Sequence, residues 1–165
     1  FLIKKMSLKS SFLFVIVAML FISCDKKRVF DEYKPVGKSW DKDSIVTFNL
    51  PELDSTKQYN LFLNIRNNSN YPYNNLFLIV SLIAPNGLTT VDTLEYLMAD
   101  KEGNLLGEGF TDVKTSKLVY KERMKFKTGK NILHIKQAVR ETGKVNWVEK
   151  LEGITDVGFR IEKIE

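Results

Sequence analysis

The chain has 165 residues, 25 of them basic and 20 acidic, with one histidine and a formal charge of +5, a length that suits one domain. Lys4, Lys5 and Lys9 precede residue 24, and subtracting them leaves 22 basic against 20 acidic residues after it, a balance that argues against a nucleic-acid-binding protein. Cys24 is the single cysteine, which excludes an internal disulfide and a cysteine-rich zinc site, so the fold must stand on its hydrophobic core.

The first element is a leader. Lys4, Lys5 and Lys9 make a basic stretch, and Met6 is a candidate start within it. Phe12 to Ile22 is an unbroken apolar run, shorter than the roughly 20 residues that cross a hydrocarbon core. Ser23 and Cys24 follow, and then the charged run Asp25-Lys26-Lys27-Arg28. This is the order of a signal peptide. A cysteine at the cut resembles a bacterial lipobox, with Ser23 before the cleaved bond. That resemblance implies diacylglycerol on the Cys24 sulfur and acylation of its freed amine. Several acyl chains anchor a protein firmly where one does not. The expected division is a signal peptide over 1–23, a lipidated N-terminus and tether over 24–43, and a β-sandwich over 44–165.

The tether mixes charges with Pro35 and Gly37, and only Val29, Phe30, Tyr33 and Val36 can rest on a domain. From Ile45 the period becomes two. Strands are predicted over Ile45–Leu50, Tyr59–Arg66, Leu76–Ile83, Leu88–Met98, Lys117–Phe126, Ile132–Ala138 and Gly153–Ile164. Leu76–Ile83 is nearly all apolar, which predicts cover on both faces. Asn67 to Pro72 and Ala84-Pro85-Asn86-Gly87 are turn clusters. Gln137–Thr142 is the one stretch that reads as a helical turn. Seven or eight short strands with polar turns predict an all-β, antiparallel sandwich, jelly-roll or immunoglobulin-like. The turns constrain hairpins and leave the crossovers open.

No cofactor motif and no nucleophile constellation emerges. His134 lies mid-strand without a nucleophile motif near it, and a catalytic base needs a partner within hydrogen-bond reach. Asp41, Asp43 and Asp54 lack the glycine turn and final glutamate of a calcium loop. Lys121, Arg123, Lys125 and Lys127 alternate on one predicted face. That pattern fits an edge strand defended by lysines equally with a face toward anionic lipid or an acidic partner. Trp40 and Trp147 fall in predicted loops, where an indole can stack on a sugar or meet a partner, and they make a lipid-anchored glycan-binding module the alternative to a protein-binding component.

Taken together, Ser23–Tyr33, Trp40, Asn60–Asn67, Asn74–Val80, Pro85-Asn86-Gly87, Asp92–Tyr96, Ile135–Arg140 and Leu151–Glu162 resemble the gliding motility lipoprotein GldH family of Bacteroidota. The resemblance implies a cell-envelope lipoprotein needed for gliding and tied to the type IX secretion apparatus. It implies partners among the proteins of that machinery and no enzymatic activity. Anchorage through Cys24 is expected in the outer membrane, and the basic residues that follow it, unlike the acidic surface-export signals of related bacteria, point to the periplasmic face. Asp43-Ser44-Ile45, Asp54-Ser55-Thr56 and Asp92-Thr93-Leu94 resemble a short O-glycosylation signal of this phylum, and Ser55 sits in the best exposed turn of the three.

Overall fold

The computed structural model describes residues 25–164. The leader over 1–23, the cleavage point at Ser23 and Cys24 itself lie outside the described residues. The described chain is all-β. Its ten strands are β1 (Arg28–Pro35), β2 (Ser39–Asp41), β3 (Val46–Asn49), β4 (Tyr59–Asn67), β5 (Asn75–Ile83), β6 (Thr89–Leu97), β7 (Lys114–Met124), β8 (Ile132–Gln137), β9 (Lys150–Glu152) and β10 (Ile154–Lys163). All seven strands predicted from periodicity are present. Gln137–Thr142 is not a helical turn: the Gln137 carboxamide accepts the Val139 amide at 3.0 Å, and Arg140 bridges to Trp147.

Eight strands form two four-stranded antiparallel sheets, ordered β1-β10-β4-β7 and β3-β8-β5-β6, and β2 pairs with β9 beside them. The pairings β1–β10, β3–β8, β4–β7 and β5–β6 nest inside one another along the chain. The chain is thus one long hairpin whose successive strand pairs alternate between the two sheets. That order selects the jelly roll over the immunoglobulin-like sandwich.

Period-two burial explains the layers. On β4, Leu61, Leu63 and Ile65 are fully buried, as are Leu76, Leu78 and Val80 on β5. The inner faces meet around Phe30, Phe48 and Phe159, whose ring centroids lie 6.2–6.4 Å apart. On the side closed by β6 and β7, Tyr96 donates to the Val119 carbonyl at 2.8 Å and Tyr120 to Asp92 at 2.7 Å, tying sheet to sheet. Burial pushes the Tyr96 hydroxyl up to about 12.

Three expectations are corrected. The segment read as a tether is mostly domain. β1 pairs with β10 along its length and Phe30 reaches the core, so Asp25–Lys27 alone precede the sheet among the described residues. The outer face of β5 has no second cover, because Phe77, Ile79 and Ile83 remain half-buried. On β7 the simple alternation fails. Two register shifts against β4 interrupt it, and Arg123 adopts a φ of 52°, a left-handed conformation that disfavours residues other than glycine.

The sandwich has two ends. Residues 25–28, 50–58, 84–88, 122–131 and 163–164 meet at one, joined by Lys163 N to Lys27 O at 2.9 Å, Thr128 Oγ1 to Ser55 Oγ at 3.2 Å, and packing of Gly129 on Pro85. Residues 36–45, 68–74, 98–113 and 138–153 make the opposite end.

Candidate functional site

The residue that follows Cys24 is fastened to the domain. Arg160, on the outer face of β10, donates to Asp25, to Asp31 of β1 at 2.7 Å and to Glu162 at 2.6 Å. Lys117 of β7 adds a second cation to Glu162 at 2.5 Å. A guanidinium suits this role, since it is planar and offers five donors. The Asp25 carboxyl is held below the usual carboxylate range by its hydrogen bond to Arg160. Burial pushes Glu162 upward, but the hydrogen bonds from Lys117 and Arg160 prevail and lower it. Sequence reasoning missed this cluster, because Asp31 and Arg160 are 129 residues apart and meet only through the pairing of β1 with β10. A hollow of about 540 Å³ adjoins it, lined in part by Asp31, Tyr33, Asn64 and Lys117.

The two tryptophans separate. Trp40 is fully buried, with its indole N–H on the Ser44 carbonyl at 3.1 Å. It therefore belongs to the core and cannot stack on a ligand. The reason is β2: pairing of Trp40 with Leu151 of β9 turns the indole inward. Trp147 is half-buried and lines a cavity of about 350 Å³ with Phe77, Ile79, Thr93, Ala138 and Arg140. Lys136 and Arg140 hold cations 5.5 Å and 5.8 Å from its ring centroid, within cation–π range.

That cavity opens on the outer face of the β3-β8-β5-β6 sheet. Phe77, Ile79, Ile83 and Ile132 are half-buried there and Val91 is 60% exposed, interspersed with Thr47, Ser81, Thr93, His134 and Lys136; Leu97, at the end of β6, lines the hollow beside Arg160. This face mixes apolar and polar side chains and has no second layer over it among the described residues, and exposed apolar side chains grouped in this way mark interaction sites.

Ser55 lies exposed in the loop between β3 and β4, and its hydroxyl accepts from Thr128. His134 sits on the outer sheet face between Thr47 and Ser81. No group of three or more metal-ligating side chains occurs among the described residues, and Asp41, Asp43 and Asp54 do not converge. Asp54 instead caps its own turn through Thr56. β7 is an edge strand, a position that lysines can guard against pairing, and its Lys121 is ion-paired with Asp92 of β6 at 2.8 Å. The continuing residues Lys125, Lys127 and Lys130 stand exposed in the next loop.

Residues 28–161 match the model of the GldH lipoprotein family. The chain is 66% identical over 158 residues to the gliding motility lipoprotein GldH of Flavobacterium johnsoniae, covering 96% of this chain and 99% of that one. It is 56% identical over 155 residues to a gliding motility lipoprotein GldH homolog of Christiangramia forsetii, covering 93% and 95%. Among solved structures, a family GH115 4-O-methyl-α-glucuronidase, BtGH115A, aligns at a TM-score of 0.44 and 16% identity, over 86% of this chain and 18% of that one. The infectious bursal disease virus VP2 subviral particle aligns at 0.34 and 14%, over 81% and 30%. The chain belongs to the GldH lipoprotein family.

Proposed function

For this member of the GldH lipoprotein family we propose the role of an envelope lipoprotein required for gliding motility, acting by binding and not by catalysis within the gliding and type IX secretion machinery. Acylated Cys24 holds it in the outer membrane, on the periplasmic side. The Asp25–Arg160 contact passes that anchorage directly to the sandwich. A protein of the machinery docks on the outer face of the β3-β8-β5-β6 sheet. The observation that carries the reading is the identity to a named gliding motility lipoprotein over nearly the full length of both chains. Val91, with Phe77, Ile79 and Ile83 on the same face, supplies the contact surface. Tethering raises the effective concentration at the membrane, so weak contacts suffice.

The test is deletion of the gene in its native host, scoring surface spreading and cargo secretion together. Wild type restores both, whereas Cys24→Ala and Val91→Glu restore neither despite normal protein abundance. Normal spreading and secretion in the deletion strain would sink the proposal.

Trp147 supports a second reading, a glycan-binding module, because its indole lines a cavity that also offers Thr93 and Arg140. Binding of an envelope or plant polysaccharide that disappears in Trp147→Ala would favour it. Ser55 is the proposed O-glycan acceptor, and a mass shift on its peptide, absent from Ser55→Ala, checks that assignment.

A further inference from the structure

The near-neutral charge of the domain conceals a strong polarity. At the end that holds Asp25, residues 25–28, 50–58, 84–88, 122–131 and 163–164 carry nine basic and four acidic side chains. The loops of the opposite end, 36–45, 68–74, 98–113 and 138–153, carry six basic and nine acidic. The first end is net positive and the second net negative.

The cations of the first end are available. Arg28, Arg123, Lys125, Lys127, Lys130 and Lys163 are all exposed, and none is within ion-pair distance of a described carboxylate. Asp25 is occupied by Arg160 and Asp54 by Lys57, so half of the few acids there are already engaged. The left-handed backbone at Arg123, with its amide on Asn60 Oδ1 at 3.1 Å, bends the chain where β7 runs into the lysine loop. Leu88, 61% exposed, projects from the β5–β6 turn at the same end. Exposed cations around an exposed aliphatic side chain match the chemistry of an anionic bilayer surface.

We infer that this basic end seats on the anionic phospholipid headgroups of the bilayer that carries the anchor, with Leu88 entering the interface, so that the acidic end and its loops point away from the membrane. The inference rests on the reading of Cys24 as the acylated residue. One covalent link separates Cys24 from Asp25, which Arg160 holds on the sheet. A chain reaches at most about 3.6 Å per residue, so the anchor keeps Asp25, and with it the end of the sandwich to which Asp25 belongs, beside the headgroups, whose field extends over a Debye length of roughly 8–10 Å.

The experiment uses the full chain, purified from its host in detergent and reconstituted on two vesicle types, neutral phosphatidylcholine and the same lipid with about a third phosphatidylglycerol. Flotation reports membrane attachment. Amine-reactive labelling, read lysine by lysine, reports which end is covered. The expected result is flotation with both vesicles, and a fall of about fivefold or more in labelling of Lys125, Lys127 and Lys130 on anionic vesicles only. High salt reverses the fall, and Lys38 and Lys101 at the other end label equally throughout. The triple variant Lys125→Glu, Lys127→Glu, Lys130→Glu removes the salt-reversible protection of Lys57 and Lys163, whereas Lys38→Glu with Lys101→Glu leaves it intact. Equal labelling on both vesicles with normal flotation overturns the inference and leaves the anchor standing. Flotation with anionic vesicles alone, with the basic end protected, supports the inference and overturns the anchor. Failure to float with either overturns both.

Discussion

Replacing Arg160 by alanine removes the one group that Asp25, Asp31 and Glu162 share. The Arg160 and Glu162 side chains are 13% and 14% exposed, and Asp31 is 20% exposed. Hydrogen bonds to charged groups contribute about 1.5–3 kcal/mol each, and breaking a fully buried ion pair costs about 3–5 kcal/mol. Water reaches this cluster and Lys117 stays beside Glu162, so the expected loss is nearer about 2 kcal/mol. Urea unfolding of the purified chain measures it as a lower midpoint at unchanged slope. The loss also depends on pH. Asp25 and Glu162 both have lowered folded-state pKa values. Their contribution is complete above the unfolded value of about 4 and disappears as pH falls through the lowered one. The deficit of Arg160→Ala is therefore largest at neutral pH and shrinks below about pH 4. Arg160→Lys recovers only part of it, because the ammonium keeps the charge and loses the fork. A deficit under about 0.5 kcal/mol at neutral pH, or one that is the same in acid, would refute this account of the cluster.

Gly153 joins β9 to β10 at a φ of +84°, and a Cβ there would lie 2.1 Å from the Tyr71 amide nitrogen. Left-handed backbone costs other residues about 1–2 kcal/mol and overpacking about 1–3 kcal/mol; Gly153→Ala should lower stability by at least about 3 kcal/mol, and a loss below about 1 kcal/mol in the same urea assay would show that the corner yields. Asn67 is fully buried with neither carboxamide atom hydrogen-bonded; Asn67→Leu should be neutral or stabilise by about 1 kcal/mol, since an unmatched buried polar group costs about 1–3 kcal/mol. A clear drop in the thermal midpoint of that variant would mean that the amide is partnered in solution.

The long strands were legible because they carry a one-sided apolar pattern, as Tyr59, Leu61, Leu63 and Ile65 do on β4, or a dense aliphatic run, as on β5. The short ones were not. β1 gives the core chiefly Phe30 and surrounds it with Asp31, Glu32 and Lys34, so it reads as solvated linker; backbone pairing with β10, whose residues lie 121 to 134 positions later, makes it a strand. β2 and β9 have three residues each, too few for any period to show, and this hid the burial of Trp40. The crossovers were illegible for a related reason: turn chemistry specifies neighbours such as β5 and β6, whereas the jelly-roll order depends on which distant strand completes each sheet. Of the two candidate tryptophans, Trp147 is half-buried beside a cavity and Trp40 is in the core. The Arg160 cluster and the charge polarity escaped because both arise from residues that only the fold assembles.

The pairing of the first strand with the last has a mechanical consequence. β1 runs from the end that holds Asp25 toward the far end, and its hydrogen bonds to β10 lie across the strand direction. A pull from the membrane at Asp25, opposed by a load on the far loops or the sheet face, acts along β1. Its ladder is then strained in shear, with all the bonds sharing the force, and does not peel open one bond at a time. The Asp25–Arg160 contact is the first to feel that force, ahead of the ladder. The same strand would part easily if the load were applied sideways at Arg28, so the direction of pulling, as much as its strength, decides whether the sandwich holds.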